Sequence, residues 1–480
     1  MSKNLKSFYI TTTLPYVNAE PHIGFAMELI RADIIARYKK LQGFDVFSNT
    51  GTDEHGQKIS DKANDLKLAS QAFVDSVSKK FRDLTTALNI SSDIHFIRTT
   101  DPHHIKAATQ TFWSLCLANG DIYKKNYKIK YCVGCELEKT DSELVDGHCP
   151  LHPNLEIQTI EEETYFFKFS KYQKALSDFY QKHADFVIPD FRFNEIKAFV
   201  DRGLEDFSIS RVKSKMSWGV PVPNDPEHVM YVWFDALVSY ISTLGWPEDG
   251  KNFEKYWANG TPVQYAGKDN LRQQSAMWQA MLMSARLPNS RHVVIDGFIT
   301  SGGEKMSKSL GNTVDPFELI KEFGTDAVRY YVARELSAFE DSDFTIEKFK
   351  NAYNANLANG LGNLTSRILK MSETNGVKIT GNSEHSLTDF GHSLESFNIQ
   401  KAADSIWNEI GKADRLIQET EPFKLIKENR EKAVEIIQNL LARLSIISNH
   451  LRPLLPETAE KIQSAIRLNK LEKPLFPRKD

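Results

Sequence analysis

Residues 8–49 read FYITTTLPYVNAEPHIGFAMELIRADIIARYKKLQGFDVFSN and contain a complete strand–helix–strand unit. Residues 8–12 are rich in β-forming side chains, and prolines break the loop that follows. Apolar residues then recur at helical spacing, at Ile30, Ile34, Tyr38 and Leu41. Gly43 ends this helix, and residues 45–49 resume a strand. The unit predicts an α/β fold with a parallel sheet and right-handed crossovers.

The alternation of strands and helices is interrupted once. Residues 118–215 hold short Tyr/Phe/Ile segments and a cysteine cluster, which indicates an inserted subdomain. The α/β pattern resumes with a strand at 292–300, a Gly/Ser/Lys loop at 301–312 and a helix that begins at Asp315 and is closed by Gly324. The chain therefore divides into four ranges. Residues 1–117 and 216–345 are the two halves of a Rossmann-type parallel-sheet domain, and residues 118–215 are the insertion between them. Residues 346–480 are a helical bundle with a polar loop at 381–396.

Composition restricts the class of protein. A chain of 480 residues with 41% apolar composition is long enough for two or three cores. The formal charge of −3 gives no overall attraction to a polyanion, so contact with nucleic acid has to come from local basic groups. The N-terminus lacks the apolar segment of a signal peptide, and no apolar run reaches the ~18 residues that span a bilayer. We therefore expect a soluble, cytoplasmic protein.

Three of the four cysteines form the pattern Cys132-x2-Cys135-x13-Cys149-x2-His152. A Cys3His set at these spacings predicts one tetrahedral zinc ion, which is structural because no position stays open for water. His148 is an alternative fourth ligand, and a local disulfide is the alternative to a metal. A reducing compartment and the two short spacings favour zinc bound by His152.

His22-Ile23-Gly24-Phe25 stands at the beginning of the first predicted helix. Free backbone N–H groups and the positive end of the helix dipole favour a phosphate there. Gly24 allows a nucleotide to approach the backbone, and His22 can donate to a phosphate oxygen. Taken alone, a His-x-Gly helix start is more often an ordinary cap.

Lys305-Met306-Ser307-Lys308-Ser309 follows two glycines in the late loop. Two ammonium groups on such a loop can hold a triphosphate while charge moves onto the leaving pyrophosphate. A Lys/Ser run is otherwise usually a solvated surface loop.

Together, at opposite ends of one α/β domain, these two signatures resemble the nucleotide-binding pair of class I aminoacyl-tRNA synthetases. Further motifs are similar to the methionine-specific branch of that family. In chain order they are Leu14-Pro15-Tyr16-Val17-Asn18, Gly51-Thr52-Asp53-Glu54-His55-Gly56, Tyr231-Val232-Trp233-Phe234-Asp235-Ala236, Gly267-Lys268-Asp269 and Asn363-Leu364-Thr365-Ser366-Arg367. The resemblance covers nearly the whole chain.

The resemblance implies a ligase that activates methionine with ATP and Mg²⁺, releases pyrophosphate and transfers the methionyl group to the 3′-terminal adenosine of tRNA(Met). It makes the α/β domain catalytic, the insertion a connective segment with a zinc knuckle, and the bundle anticodon-binding. His22, Lys305 and Lys308 would be the catalytic groups on the ATP phosphates. Gly24 would border the same phosphates, and Asp269 would bind the ribose hydroxyls.

The resemblance also implies a methionine pocket and an anticodon contact. Asp53 would bind the α-ammonium group by a charge-assisted hydrogen bond. The thioether would be enclosed by Leu14, Tyr16, Trp233, Ala236, Tyr240, Asn270 and Gln274. Without the other residues of this set, Trp233 and Tyr240 would be read as ordinary aromatic residues of the core. Asn363 and Arg367 share one helix face and would read base edges, while Phe423 would stack on an anticodon base.

Four positions depart from the family pattern. Phe25 replaces a second histidine of the helix-mouth signature, which removes a phosphate donor and predicts slower activation. Asn270 and Gln274 stand where Ile and His are more frequent, which puts the details of side-chain recognition in question. Phe423 replaces a Trp and keeps a stacking face.

Three other functions are compatible with the sequence. They are a class I synthetase for another amino acid, a non-catalytic tRNA-binding paralogue and a small-molecule nucleotidylyltransferase. The insertion is too short for the editing domain of the isoleucine, valine and leucine synthetases. Intact Asp53 and Lys308 argue against a non-catalytic paralogue, and the bundle argues against a nucleotidylyltransferase. Because no module follows the bundle before Asp480, we expect a monomer.

Overall fold

A six-stranded parallel sheet forms the centre of the computed structural model, which describes residues 5–135, 137–139, 141–306, 313–379 and 387–479. Its strands are β1 (Ser7–Thr11), β2 (Asp45–Thr52), β3 (His95–Arg98), β4 (Val187–Ile188), β5 (Thr261–Gly267) and β6 (His292–Asp296). The spatial order is β3-β2-β1-β5-β6-β4, and every pair is parallel. This confirms the Rossmann-type prediction. The order reverses between β1 and β5, so a crevice opens where these strands end.

The first helix, α1 (Ile23–Leu41), connects β1 to β2 and is almost entirely buried. Gln42 caps its C-terminus, and Gly43 follows with a φ of +82°, as the sequence predicts. The other helices before the bundle are Gln57–Asp65, Ser70–Ala87, Pro102–Lys106, Ser114–Ala118, Gln173–Lys182, Asp190–Asp201, Val232–Ser242, Gly250–Asn252, Trp278–Ser284, Pro316–Phe323 and Thr325–Tyr330. Wider π-helical turns occur at Ala107–Trp113, Phe253–Ala258, Gln273–Met277 and Tyr331–Glu335, and short 3₁₀ turns at Asp141–Glu143, Phe169–Tyr172 and Lys268–Asn270.

The insertion, apart from β4, is built on antiparallel strands, and one of its two sheets also includes strands from residues 221–230. Its four-stranded sheet has the order Leu137–Lys139, Ile122–Cys132, Gln158–Phe167 and Phe207–Ser208. A second sheet has the order Pro221–Val222, Asp225–Met230 and Ser210–Val212. The long pair Ile122–Cys132 and Gln158–Phe167 carries the cysteine region away from the parallel sheet.

The predicted strand at 292–300 is wrong in its extent. β6 ends at Asp296, and Ile299–Ser301 begins a separate small sheet with Glu304–Lys305 and Ser342–Asp343. Gly297 lies at the break, where an added Cβ would come within 2.2 Å of the Glu340 backbone. This close crossing of two chain segments bends the strand, and a local pattern of apolar residues does not reveal it.

The last part of the chain is helical, as predicted. Its helices are Ile346–Ala352, the π-helical Tyr353–Gly362, Asn363–Asn375, Thr388–Glu395, Ile399–Thr420, Pro422–Leu425, Arg430–Leu451 and Pro456–Leu468. The helix Thr388–Glu395 lies within the polar loop predicted at 381–396, so that prediction is wrong there. Its two turns bury only Phe390, Ser393 and Leu394, too few apolar positions to show a helical period.

The bundle is joined to the parallel-sheet domain by continuous apolar packing and by hydrogen bonds from Arg329, a buried residue of that domain. Arg329 Nη2 lies 2.8 Å from Asp33 of α1, and both side chains are almost inaccessible to solvent. The same guanidinium donates to the carbonyls of Leu454, Pro453 and Leu88. Within the described ranges, none of the helices combines the length and apolar character that crossing a bilayer requires.

Candidate active site

The loops that follow β1 and β2 are paired with each other at the crevice. Tyr16 and Asp53 form an isolated parallel bridge, and the Asp53 amide donates to the Pro15 carbonyl at 2.9 Å. Gly56 closes this arrangement, since its φ is +122° and an added Cβ would lie 2.4 Å from the Tyr16 hydroxyl oxygen. The two motifs are therefore held in one geometry before any ligand binds.

These loops and the helix Val232–Ser242 enclose a cavity of ≈ 270 Å³, the inner cavity. It is lined by Thr13, Leu14, Pro15, Tyr16, Asp53, Lys58, Cys135, Val232, Trp233, Ala236, Leu237, Tyr240, Asp269, Asn270 and Gln274. All eight residues predicted for the methionine pocket are among them. The walls are mainly apolar and aromatic, with one buried carboxylate at Asp53, which is suited to a small zwitterion with an apolar side chain.

A second cavity of ≈ 380 Å³, the outer cavity, shares Thr13, Pro15, Tyr16, Asp269 and Asn270 with the inner one. His22 and Gly24 line it at the beginning of α1. His22 Nδ1 accepts a hydrogen bond from the Gly24 amide at 3.1 Å, so a neutral His22 carries its proton on Nε2. A Cβ on Gly24 would lie 2.9 Å from the His22 ring, so a larger residue here would require this ring to move.

Phe25, which replaces the family's second histidine, belongs to the apolar core. Its ring meets Phe81 edge to face, with centroids 5.0 Å apart. Phe25 also borders the outer cavity, but it offers no hydrogen bond to a phosphate. The polar groups that can contact a phosphate at this end of the outer cavity are therefore those of His22 and of the first turn of α1.

Carboxyl groups form part of the outer cavity's wall. Burial raises the pKa of Asp296 to about 6, although Arg31 Nη1 lies 2.9 Å from its Oδ1. Burial and then the Asp296 carboxylate raise the pKa of Glu28 well above its usual range. The shift of Glu28 favours its neutral form, which lowers the negative charge of this wall, whereas the Asp296 carboxyl is offset by Arg31. Asp269 is exposed.

Two buried amides hold Tyr240 at the wall of the inner cavity. Gln274 Nε2 donates to the Tyr240 hydroxyl at 2.6 Å, and Gln264 Nε2 donates to Gln274 Oε1 at 2.5 Å. Asn270 donates to Asp269 Oδ1 at 3.2 Å, between the two cavities. Asn270 and Gln274, which depart from the family pattern, are thus polar side chains that hydrogen-bond to other residues of the protein.

The lysine loop begins beside the outer cavity. Met306 lines that cavity, and the backbone of Lys305 pairs with Thr300 in the small hairpin. Gly302 and Gly303 make its turn with positive φ values, +63° and +82°. The side chain of Lys305 and the whole of Lys308 lie outside the described residues.

The cysteine cluster has the geometry of a metal site. The ligand atoms of Cys132, Cys135, Cys149 and His152 all lie within 4.8 Å of one another, and all four cysteines of the chain are free of disulfides. Cys135 Sγ is 3.4 Å from Cys149 Sγ and 3.2 Å from His152 Nδ1. Zn–S bonds of about 2.3 Å in a tetrahedron give edges close to these values. His148 is exposed and its Nδ1 contacts the Asp146 carbonyl.

In the bundle, the three residues predicted to contact RNA differ in exposure. Asn363 is exposed, and Phe423 is 47% exposed after Pro422. Arg367 forms an ion pair with Asp414 at 2.5 Å and is half-buried. A planar aromatic ring with a free face is suited to stacking on a base.

Sequence reasoning missed a buried, hydrogen-bonded pair of side chains near the inner cavity. His55 Nδ1 lies 2.8 Å from Asp235 Oδ2, and both side chains are at most 5% exposed. His55 stands two residues after Asp53, and Asp235 stands between Trp233 and Ala236. The pair therefore joins two segments of the cavity wall, and its partners are 180 residues apart in the chain.

The insertion also reaches this wall. Cys135 lines the inner cavity, and Lys58 Nζ donates to the Gly134 carbonyl at 2.8 Å. An ion pair between Arg272 and Glu143 at 2.9 Å makes a second connection. No local sequence signal places the cysteine cluster beside the cavity.

Comparison with known proteins identifies the family. The model for class I tRNA synthetases (M) matches residues 8–160 and 152–369, and the model for the anticodon-binding domain of methionyl tRNA ligase matches residues 371–478. The methionine–tRNA ligase of Nostoc sp. is 41% identical over 96% of this chain and 90% of its own length. That of Thermotoga maritima is 40% identical over 95% of this chain and 74% of its own length.

Solved structures agree with this. Mycobacterium tuberculosis methionyl-tRNA synthetase in complex with methionyl-adenylate superposes with a TM-score of 0.90 at 36% identity, over 99% of this chain and all of that one. The apo form of the same enzyme gives a TM-score of 0.83 at 31% identity, over 100% and 99% of the two chains. The chain belongs to the methionyl-tRNA synthetase family of class I aminoacyl-tRNA synthetases.

Proposed function

We propose that this chain joins methionine to ATP as methionyl-adenylate, releases pyrophosphate and transfers the methionyl group to the 3′-terminal adenosine of tRNA(Met). The observation that carries the proposal is the pair of adjoining cavities. One is lined by all eight residues expected to contact methionine, and it shares Tyr16, Asp269 and Asn270 with a cavity at the beginning of α1. A carboxylate and an α-phosphate bound in these two cavities would meet at their common wall.

The outer cavity binds ATP in this proposal, with Mg²⁺ on its phosphates. His22 Nε2 donates to a phosphate oxygen, and the first amides of α1 face the same group beside Gly24. Asp269 accepts from the ribose hydroxyls. Lys305 and Lys308, from the loop that begins at the mouth of the cavity, neutralise the departing pyrophosphate.

The inner cavity binds methionine. Asp53 accepts from the α-ammonium group, and its burial strengthens that contact. Leu14, Tyr16, Trp233, Ala236 and Tyr240 enclose the thioether, and Asn270 and Gln274 complete the wall. Adenylate formation needs in-line positioning of a carboxylate against a phosphate and stabilisation of charge, so it needs no general base.

A structural zinc ion bound by Cys132, Cys135, Cys149 and His152 is part of the proposal. Four protein ligands leave no open position, so the ion would supply rigidity and take no part in the chemistry. The donor set and the interatomic distances fit this role. Because Cys135 borders the inner cavity, a rigid knuckle would support that wall.

The bundle binds the anticodon through Asn363, Arg367 and Phe423 in this proposal. We further propose that residues 1–117 and 216–345 form the catalytic domain, 118–215 the connective insertion and 346–480 the anticodon-binding domain. The protein would act as a monomer in the cytoplasm.

The test is ATP–pyrophosphate exchange with each of the twenty amino acids, followed by charging of tRNA(Met). Methionine should be the best substrate by kcat/KM. Exchange that is faster with another amino acid, or absent with all twenty, would refute the proposal. Asp101→Asn, which changes a carboxylate outside both cavities, is a control for nonspecific loss.

A further inference from the structure

The outer cavity carries more acidic than basic side chains among the residues that the structure describes. Its basic side chain is that of His22. Its carboxyl groups are those of Glu20, Glu28, Asp269 and Asp296. In the proposed function this cavity binds ATP, whose triphosphate is repelled by carboxylates. Phe25 supplies no charge here, so, apart from the lysine loop, further cations have to come from side chains beside the cavity.

Three of the four carboxyl groups bring no mobile cation with them. Asp296 is paired with Arg31 at 2.9 Å, but this guanidinium is 2% exposed and also donates to two backbone carbonyls. Burial raises the pKa of Glu28 well above its usual range, which favours the neutral form. Asp269 accepts from the ribose in the proposed function. The remaining carboxyl group is that of Glu20.

Glu20 is paired with a lysine from another segment of the chain. Lys80, on the helix Ser70–Ala87, places its Nζ 2.6 Å from Glu20 Oε1, and the two side chains are 50% and 49% exposed. Glu20 stands two residues before His22, and both line the outer cavity. The Lys80 ammonium therefore lies at the edge of this cavity, at the end where phosphates bind in the proposed function.

The backbone of Lys80 is held in place by the next residue. Phe81 is 3% exposed, lines the outer cavity and meets the Phe25 ring edge to face, with centroids 5.0 Å apart. This contact fixes the helix Ser70–Ala87 against the beginning of α1. The Lys80 side chain, by contrast, is half exposed and turns about its own bonds. Lys80 thus combines a fixed backbone with a mobile ammonium group.

The ion pair between Lys80 and Glu20 is easily exchanged for another. An exposed pair of this kind contributes little to stability, because water screens both charges. A triphosphate carries several negative charges, so it attracts an ammonium group more strongly than one carboxylate does. An ammonium group also has three donors on a flexible stem, which is suited to a phosphate oxygen that moves as pyrophosphate departs.

We propose that Lys80 is an ATP-binding residue whose ammonium group leaves Glu20 when ATP enters the outer cavity and binds the triphosphate beside His22. This rests on the proposed function, which places ATP in that cavity. Without ATP, Lys80 neutralises Glu20. With ATP, it supplies a cation at the end of the cavity where Phe25 has none. Glu20 therefore competes with ATP for Lys80.

The first experiment is ATP–pyrophosphate exchange by the full-length protein at saturating methionine. Lys80→Met should raise KM for ATP about tenfold, the order expected for one hydrogen bond to a charged group, and should leave KM for methionine unchanged. Lys80→Arg keeps the charge and should stay within about threefold of wild type. Lys79→Met is the matched control, since Lys79 forms an exposed pair with Asp83 on the same helix and lines neither cavity. It should leave KM for ATP unchanged.

Removal of the Glu20 charge distinguishes direct binding from mere neutralisation of a carboxylate. Glu20→Gln should lower KM for ATP about threefold, because Lys80 is released from its competitor. The double variant Lys80→Met/Glu20→Gln should keep KM for ATP about threefold above wild type or higher, because the contact with phosphate is missing. If Lys80 only neutralised Glu20, the double variant would return to the wild-type KM, and that result would overturn the inference.

Chemical labelling of the wild-type protein tests the contact without a substitution. ATP should at least halve the acetylation of Lys80 by acetic anhydride and should leave that of Lys79 unchanged, as measured by mass spectrometry of peptides. Equal labelling of Lys80 with and without ATP, or an unchanged KM for ATP in Lys80→Met, would overturn the inference. A wild-type protein without methionine-dependent exchange would instead refute the proposed function, so the two failures are distinguishable.

Discussion

The inner cavity and the anticodon-contacting residues of the bundle differ in how the protein holds them. In the cavity, Tyr240 and Gln274 are buried and hydrogen-bonded to each other. In the bundle, Asn363 and Phe423 are exposed, and the half-buried Arg367 is paired with Asp414. The cavity residues that would contact a small ligand are therefore held in place before it binds. The bundle residues that would contact RNA are exposed to solvent until the RNA covers them.

This difference makes the two regions separable in experiments. Changes in the cavity should alter adenylate formation and, through it, the charging of tRNA. Changes in the bundle should alter charging alone, because pyrophosphate exchange needs no tRNA.

Asp53→Ala should lower methionine-dependent exchange by about 10³-fold in kcat/KM, because the α-ammonium group loses a buried, charge-assisted acceptor. Steady-state exchange kinetics measure this, and KM for ATP should stay within a factor of three of wild type. A variant that retains a tenth of the wild-type activity would show that Asp53 does not bind the ammonium group.

Arg367→Ala should lower kcat/KM for charging of tRNA(Met) about thirtyfold, the order expected for one arginine that reads a base, while exchange stays at the wild-type rate. Asp414→Asn is the matched control, since it releases Arg367 from its ion pair and keeps the guanidinium. Parallel losses of exchange and charging in Arg367→Ala would contradict the separation of the two regions.

Cys149→Ser should reduce bound zinc to less than a tenth per chain and raise KM for methionine about tenfold, because the knuckle supports the cavity wall at Cys135. Elemental analysis and exchange kinetics give the two values. Cys116→Ala, at a buried cysteine outside the cluster, should retain full zinc. Zinc loss with unchanged KM would show that the knuckle does not support the cavity.

Phe423→Trp should lower KM for tRNA(Met) about threefold, since a larger ring increases stacking on a base, and should leave exchange unchanged. Phe423→Leu, which removes the planar face, should act in the opposite direction. Equal KM values for all three proteins would show that residue 423 does not stack on the anticodon.

The sequence is informative where function depends on segments that are short and ordered along the chain. The βαβ pattern of residues 8–49 predicted the parallel sheet, and the Cys132 to His152 spacing predicted a cluster that the structure brings together. In these two cases the residue types and their spacing carry the physical requirement. That Tyr16 and Gln274 would line one cavity, as they do, was instead implied by the resemblance to class I synthetases.

The sequence is uninformative where partners are distant and neither residue type is diagnostic. His55 and Asp235 form a buried pair across 180 residues, and nothing local marks them as partners. The hydrogen bonds that connect Gln264, Gln274 and Tyr240 join residues from different elements, and no local pattern marks them as partners. Asn270 and Gln274 looked like departures in sequence, and their hydrogen bonds became apparent only in the structure.

The most direct test is a crystal structure of this protein with a non-hydrolysable methionyl-adenylate analogue. We expect the thioether in the inner cavity beside Trp233 and Tyr240, the ammonium group on Asp53, the ribose on Asp269 and the phosphate beside His22. An analogue bound with its side chain outside that cavity, or with its phosphate away from the beginning of α1, would refute the proposed function.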